Sequence, residues 1–174
     1  MALRIRSATV WDLTQLIKLH FTVFQTIDPF ERRLYPDGLT NNLLVKYHEE
    51  WKYAIRMEDR QIWTKMITPN NMIVAYARWK HVKEEKYLFL SPMIVAAEYQ
   101  GRGCGKALLQ RGREYAKEHG LQCYLLAVPD AVGFYRKNGF ESFGSSGGNL
   151  ARDSGGGGGA RPLENTLMKM IWSD

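Results

Sequence analysis

The chain has 174 residues, of which 45% are hydrophobic, and this is enough to form one compact domain around a substantial core. The formal net charge of +6 is modest, and five basic residues against two acidic ones lie between Gly101 and Gly120. A nucleic-acid-binding surface more often carries a longer basic stripe with interleaved aromatic residues. The local cluster therefore favours a small phosphate-bearing ligand, and we expect no nucleic-acid partner.

Cysteine and histidine are too sparse for a disulfide framework or a structural zinc site. Cys104 and Cys123 are the only cysteines, they form no CxxC pair, and the four histidines are scattered. We also see no secretory leader and no apolar run of membrane length. These features predict a cytoplasmic protein without a metal or a membrane partner. The nucleus is not excluded, and a homodimer stays open.

Apolar residues at helical spacing predict two helices in the first third of the chain, over about Trp11–Gln25 and Asn41–Met57. An alternating strand at Leu3–Ser7 precedes them. Asp28-Pro29 and Pro36-Asp37-Gly38 carry turn chemistry, so both segments are predicted as turns.

The period then changes to that of strands. Gln61–Thr68 and Met72–Lys80 are rich in β-branched and aromatic residues, and Pro69-Asn70-Asn71 between them indicates a hairpin. A third long strand is predicted at Lys86–Ala96. An amphipathic helix ending at Gly120 follows.

The remainder alternates strand and helix. Four elements are predicted, with Asp130 as the N-cap of the helix: a strand at Gln122–Val128, a helix at Ala131–Asn138, and strands at Phe140–Phe143 and Thr166–Trp172. Ser145–Arg161 is of low complexity, and we interpret it as a mobile glycine-rich loop within a single domain covering 1–174. The element order is that of a mixed α/β layer fold.

A glycine-rich turn, Gln100-Gly-Arg-Gly-Cys-Gly-Lys106, joins a predicted strand to a predicted helix. Glycines let the backbone approach a ligand, and the free amides of the first helical turn form an anion site. Two common phosphate loops do not fit. Lys106 stands where the dinucleotide fingerprint needs its last glycine, and Gln100 and Ala107 break the P-loop pattern.

Two segments resemble the signatures of the GNAT acetyltransferase superfamily. Val95–Leu109 closely resembles its acyl-CoA-binding motif, Arg/Gln-x-x-Gly-x-Gly/Ala, with Gln100, Gly103 and Gly105 at the defining positions. Gly133–Phe140 resembles the second signature, in which a tyrosine precedes Gly-Phe. The resemblance is strongest over about Met72–Phe143.

The resemblance implies a mostly antiparallel central sheet, flanked by helices and splayed between its fourth and fifth strands. It implies acetyl-CoA as the acyl donor, with pantetheine in the gap and the pyrophosphate on the glycine turn. The amide of Val95 would face the thioester oxygen, and Tyr135 would lie near the sulfur. The cofactor-binding residues it implies are Met93, Ile94, Val95, Gln100, Gly101, Arg102, Gly103, Cys104, Gly105 and Lys106.

The catalytic base is less well marked. Some relatives carry Glu or His on the fourth strand, where this chain has Phe89 and Ser91, and many carry an Asn where it has Val128-Pro129. Ser91 is a candidate for relaying a proton through water, although a strand serine is more often structural. His20 lies on an apolar helix face and is more often a packing residue than a base.

Acyl transfer to an amine needs few groups. A free alkyl amine has a pKa of about 10.4, so a base must deprotonate it before attack. The departing thiol has a pKa of about 8.5 against about 10 for tyrosine, so Tyr135 is a candidate general acid that helps without being indispensable. A covalent route through Cys104, at a helix N-terminus that could lower its pKa, is conceivable but less favoured.

The predicted function is transfer of an acetyl group to a primary amine, with a small-molecule acceptor favoured by the aromatic residues of the first two helices. Two alternatives stay open. One is acetylation of a protein or peptide amine, which an open acidic groove would favour. The other is a non-catalytic acetyl-CoA-binding module, which would bind the donor without turnover.

Overall fold

The computed structural model describes residues 2–57, 61–82, 84–146 and 165–172. These residues contain seven strands: β1 Arg4–Ser7, β2 Gln61–Ile67, β3 Ile73–Val82, β4 Tyr87–Val95, β5 Gln122–Ala127, β6 Phe140–Ser146 and β7 Asn165–Met170. The same described residues contain five α-helices: α1 Leu13–Ile27, α2 Pro29–Leu34, α3 Asn41–Met57, α4 Cys104–Glu118 and α5 Pro129–Lys137. Within these ranges no helix is both long and apolar enough to cross a bilayer.

The strands form one sheet in the order β1-β2-β3-β4-β5-β7-β6. Neighbouring strands are antiparallel except β4 and β5, which are parallel and are connected through α4. The predicted mixed, mostly antiparallel sheet flanked by helices is therefore confirmed.

Each face of the sheet carries its own hydrophobic core. On the face that we call the α4 face, α4 and α5 pack on the sheet, and the core includes Trp79, Leu108 and Phe140. On the opposite face, the α1 face, α1 and α3 pack with Trp63, Tyr76 and other residues of β2, β3 and β4. The two cores fix the sheet between helix pairs, and burial of these apolar side chains is its main source of stability.

Three local predictions are corrected by the structure. Asp28-Pro29 was predicted as a turn, but helix α2 begins at Pro29. Proline suits the first position of a helix. For the same reason α5 begins at Pro129, and its N-cap is Val128 rather than Asp130. Strand β6 continues to Ser146, beyond the predicted end at Phe143. The rest of the predicted glycine-rich loop, 147–161, lies outside the described residues.

Helix α4 approaches the sheet closely at Gly112. A Cβ atom built on Gly112 would lie 2.2 Å from Cε2 of Trp79, an overlap that real structures do not contain. Trp79 is 0% exposed and sits in the middle of β3. The glycine therefore allows α4 to pack against the indole, and it fixes the distance between helix and sheet.

We expect Gly112→Ala to lower the free energy of unfolding by about 1–3 kcal/mol, because the added methyl must displace a buried indole. Gly133→Ala is the control, since Gly133 lies inside α5 and a Cβ there meets nothing within 4 Å. That change should be neutral or stabilising by about 0.5–1 kcal/mol. Denaturant unfolding compares the two; equal stabilities would contradict the packing argument.

Candidate active site

The sheet opens between β4 and β5. Parallel pairing runs from Tyr87 opposite Gln122 to Leu90 opposite Leu125 and stops there. Strand β4 nevertheless continues to Val95. The edge of its second half therefore has no β5 partner, and a gap opens toward the carboxyl ends of both strands.

A bulge in β4 marks the point where the gap begins. The register with β3 shifts between Ala77, which pairs with Met93, and Trp79, which pairs with Leu90. Two residues of β4, Ser91 and Pro92, thus occupy the space of one residue of β3. The Nε of Arg78, the residue opposite them, donates to the Ser91 carbonyl at 2.7 Å. Sequence patterning did not single out Arg78, because only the strand register reveals its place.

Beyond the bulge, the antiparallel ladder decides which main-chain groups face the gap. The amide of Ala96 donates to the carbonyl of Val74 at 2.8 Å, so these two residues form a hydrogen-bonded pair. Such pairs alternate with pairs whose N–H and C=O groups point away from each other. The main-chain groups of Met93 and Val95 therefore face the gap, whereas those of Ile94 face β3. The Ile94 side chain is 2% exposed and packs in the α1-face core.

Gln100 links the glycine turn to this edge. Its side-chain amide donates to the carbonyl of Val95 at 3.1 Å. That bond satisfies the Val95 carbonyl and leaves the Val95 amide as the group directed into the gap.

The turn itself has the backbone that its glycines predict. Gly101 and Gly103 have φ angles of +70° and +82°, and a Cβ on either would meet nothing within 4 Å. Gly103 is the N-cap of α4, and the first bond of the helix joins the Ala107 amide to the Gly103 carbonyl at 3.0 Å. The amides of 104–106 precede that bond and are available to an anion at the positive end of the helix dipole.

Helix α4, strand β4 and helix α5, which carry the predicted site residues, approach one another at Gly105. A Cβ there would lie 3.0 Å from Cζ of Phe134 and 3.5 Å from Cε of Met93. The start of α4, the second half of β4 and helix α5 therefore meet at this glycine. Phe134, which precedes Tyr135 in the second signature, was not singled out from the sequence.

The side chains of the turn differ in exposure. Arg102 and Lys106 are exposed, and the guanidinium of Arg102 lies 5.4 Å from the centre of the Tyr99 ring. Cys104 is 2% exposed, and burial raises the pKa of its thiol. Desolvation outweighs a backbone hydrogen bond and the charge of Arg102, which both lower that pKa, so the structure does not favour a covalent route through this thiol.

Tyr135 lies in α5 within the α4-face core and is 7% exposed. Its ring contacts Phe134 and Phe140, with ring centres 5.2 and 5.8 Å away. Burial raises the pKa of its phenol well above the usual value. The hydroxyl therefore keeps its proton across and beyond the neutral range, as a proton donor must.

The remaining candidates lie apart from the turn. Ser91 is exposed, at the bulge where the gap begins. His20 is enclosed by the rings of Phe24, Trp51 and Tyr76, with Nδ1 2.8 Å from the Tyr76 hydroxyl. Burial, assisted by the charge of Arg78, lowers the pKa of His20 to about 4. The ring is therefore neutral at pH 7, which agrees with the packing interpretation.

Comparison with known proteins agrees with this geometry. The sequence model of the Acetyltransferase (GNAT) family matches residues 22–140, more than half of the chain. The chain belongs to the GNAT family. The match extends well before the two signatures, into α1 and α3.

Individual relatives are distant. An uncharacterized N-acetyltransferase of Methanocaldococcus jannaschii is 23% identical over 146 residues, which are 79% of this chain and 60% of that protein. The PaiA N-acetyltransferase of Thermoplasma acidophilum, solved in complex with coenzyme A, superposes with a TM-score of 0.71 at 18% identity, covering 99% and 100% of the two chains. A chimeric spermidine N-acetyltransferase from Vibrio cholerae gives 0.70 at 17%, covering 98% and 96%. At these identities the superpositions establish the GNAT fold.

We expect Gly103→Glu to abolish measurable acetyl-CoA binding, because it places a carboxylate beside amides that point at an anion. The matched control is Gly120→Glu. Gly120 also has a positive φ, +63°, and open space around its Cβ, but it lies beyond the other end of α4. Both substitutions introduce similar backbone strain. Calorimetric titration with acetyl-CoA should therefore show loss of binding in Gly103→Glu and unchanged affinity in Gly120→Glu. Unchanged affinity in a folded Gly103→Glu variant would remove the turn from the site.

Proposed function

We propose that this chain transfers an acetyl group from acetyl-CoA directly to a primary amine of a small-molecule acceptor. The observation that carries the proposal is the unpaired β4 edge, with the amides of Met93 and Val95 directed into the gap beside a glycine turn suited to a pyrophosphate. No metal is needed for this chemistry.

The donor fits the gap for two reasons. Pantetheine contains two amides, and a strand edge with unpaired N–H and C=O groups accepts such a chain as it would accept another strand. The amides of 104–106 and the exposed cations Arg102 and Lys106 complement the pyrophosphate charge. Gln100, Gly101 and Gly103 shape the turn, and Cys104 and Gly105 contribute their amides.

We assign acyl transfer to one main-chain amide of β4 and two side chains. The carbonyl oxygen becomes negatively charged as the amine attacks, and a preorganised backbone amide stabilises that charge. We assign this role to Val95. Tyr135 would donate a proton to the departing thiolate, whose conjugate acid has a pKa of about 8.5, so this assistance is moderate. Ser91, exposed at the bulge, would pass the amine proton to water.

The acceptor assignment rests on size and chemistry. The α1 and α3 helices bring Phe24, Tyr47 and Trp51 toward the sheet near β3 and β4, and such aromatic side chains are more typical of a small-molecule site than of an acidic peptide groove. The similar spermidine N-acetyltransferase is named for a small-molecule amine.

Release of free thiol from acetyl-CoA, measured over a panel of alkyl amines, polyamines, amino acids and peptides, tests the proposal. We expect turnover with small primary amines. Binding of acetyl-CoA without thiol release on any amine would identify a non-catalytic module, and turnover with peptides alone would overturn the small-molecule assignment.

Tyr135→Phe should reduce turnover by roughly ten- to several-hundred-fold while acetyl-CoA affinity stays near wild type, because only the hydroxyl is lost. Since burial raises the pKa of Tyr135 above its usual value, the loss should be similar at neutral and mildly alkaline pH. Tyr115→Phe, far along α4, is the control. Equal turnover in the two variants, with chemistry rate-limiting, would make Tyr135 a packing residue.

A further inference from the structure

A cavity of about 330 Å³ lies on the α1 face of the sheet, beside the start of the gap. Along β4, Leu88 and Leu90 enter the α4-face core, so Tyr87 and Phe89 between them point to the opposite face. On β5, Tyr124 lies between two residues of the α4-face core and therefore also points to the α1 face. The cavity is lined by Glu85, Tyr87, Phe89, Gln122, Tyr124 and Leu167.

The lining is aromatic with a single charge. The ring centres of Tyr87 and Tyr124 are 5.4 Å apart, with the rings edge to face. The side chain of Gln122 is already engaged, because its amide donates to the Met170 carbonyl and its oxygen accepts from the Trp172 indole. Glu85 is therefore the only lining residue with a charge to offer.

Nearby cations, including Lys86 next to Glu85 and Arg78 opposite the bulge, lie outside the lining of the cavity. Lys169 pairs in register with Tyr124, but its partner on the other side is Glu141, a charge of opposite sign. Lys80 is exposed opposite Phe89, and neither lysine lines the cavity. Aromatic faces with one carboxylate suit an aliphatic chain that ends in an ammonium group.

The position of the cavity connects it to the gap. Phe89 and Tyr124 form the pair immediately before Leu90 and Leu125, where pairing ends. Helix α4, which carries the glycine turn, packs on the other face. A donor that enters from the α4 face leaves the α1 face open to the acceptor.

We propose that this cavity binds the non-reacting ammonium end of an aliphatic diamine acceptor, with the chain over Phe89 and Tyr124 and the charge at Glu85. This rests on the proposed function, because it assumes that the other amine attacks the acetyl group in the gap. The cavity volume lies at the small end of the range for small-molecule sites, which fits an alkyl chain.

The geometry also sets the length of the acceptor. Phe89 and Met93 pair with Lys80 and Ala77, which are three residues apart on β3, so the two are about 10 Å apart along the strand. An extended alkyl chain covers that distance with roughly eight bonds. Short diamines should therefore fail to reach both positions at once.

The test compares straight-chain α,ω-diamines with n-alkyl monoamines, from about three to about twelve carbons. We expect kcat/KM for diamines to rise with length and to level off at about eight to ten carbons, with no comparable rise for monoamines. Glu85→Gln should lower kcat/KM for long diamines roughly threefold to fivefold and leave monoamines unchanged. Tyr124→Ala should cost about tenfold. Glu84→Gln, the adjacent residue outside the lining, is the control with the same change of net charge.

Calorimetric titration with a long diamine, without acetyl-CoA, separates this proposal from the proposed function. Diamine binding that Glu85→Gln weakens, without thiol release on any amine, would leave the cavity assignment standing and contradict the enzymatic one. Turnover with the same length profile for monoamines and diamines would overturn the cavity assignment alone. A second result would also overturn it: Tyr124→Ala changes the molecular mass in solution but leaves the diamine affinity unaltered. The surface would then be an interface between two copies of the chain.

Discussion

The rest of the site depends on one constraint: among the described residues, β4 has no strand partner on one edge after Leu90. An unpaired strand edge is normally a liability, because its amides and carbonyls can pair with any other chain. Here the edge is interrupted at the Ser91-Pro92 bulge and held by β3 on its other side. The same feature that costs the sheet its hydrogen bonds leaves a template for an extended ligand that carries amides.

The packing around the gap keeps it open. Gly105 allows Phe134 and Met93 to meet over the start of α4, so α5 and β4 are positioned together. Farther along α4, Gly112 sets the distance to the sheet. The turn then presents its amides on the α4 face, while the aromatic cavity lies on the α1 face. In our proposal, the donor and the acceptor therefore occupy opposite sides of one sheet.

The element order and the glycine turn could be predicted from the sequence, because both depend on residues that are close together in the chain. Positive φ angles and an open helix N-terminus favour glycine at 101 and 103, and both glycines can be read directly from the sequence. Element order followed from periodicity. The starts of α2 and α5 were missed because a proline was interpreted as a turn or passed over, although it suits the first helical position. The bulge at Ser91, the direction of the Val95 amide and the lining of the cavity depend on register between strands that are distant in sequence, which no local pattern encodes.

Amide hydrogen exchange with and without acetyl-CoA tests the central claim most directly, because it reports each main-chain group of β4. In the free protein the amide of Ile94, bonded to β3, should be protected, while those of Met93 and Val95 should exchange quickly. Saturation with acetyl-CoA should protect Met93, Val95 and the amides of 104–106 and leave Ile94 unchanged. Protection of the turn amides without any change at Met93 and Val95 would contradict the account, because the donor would then bind outside the gap.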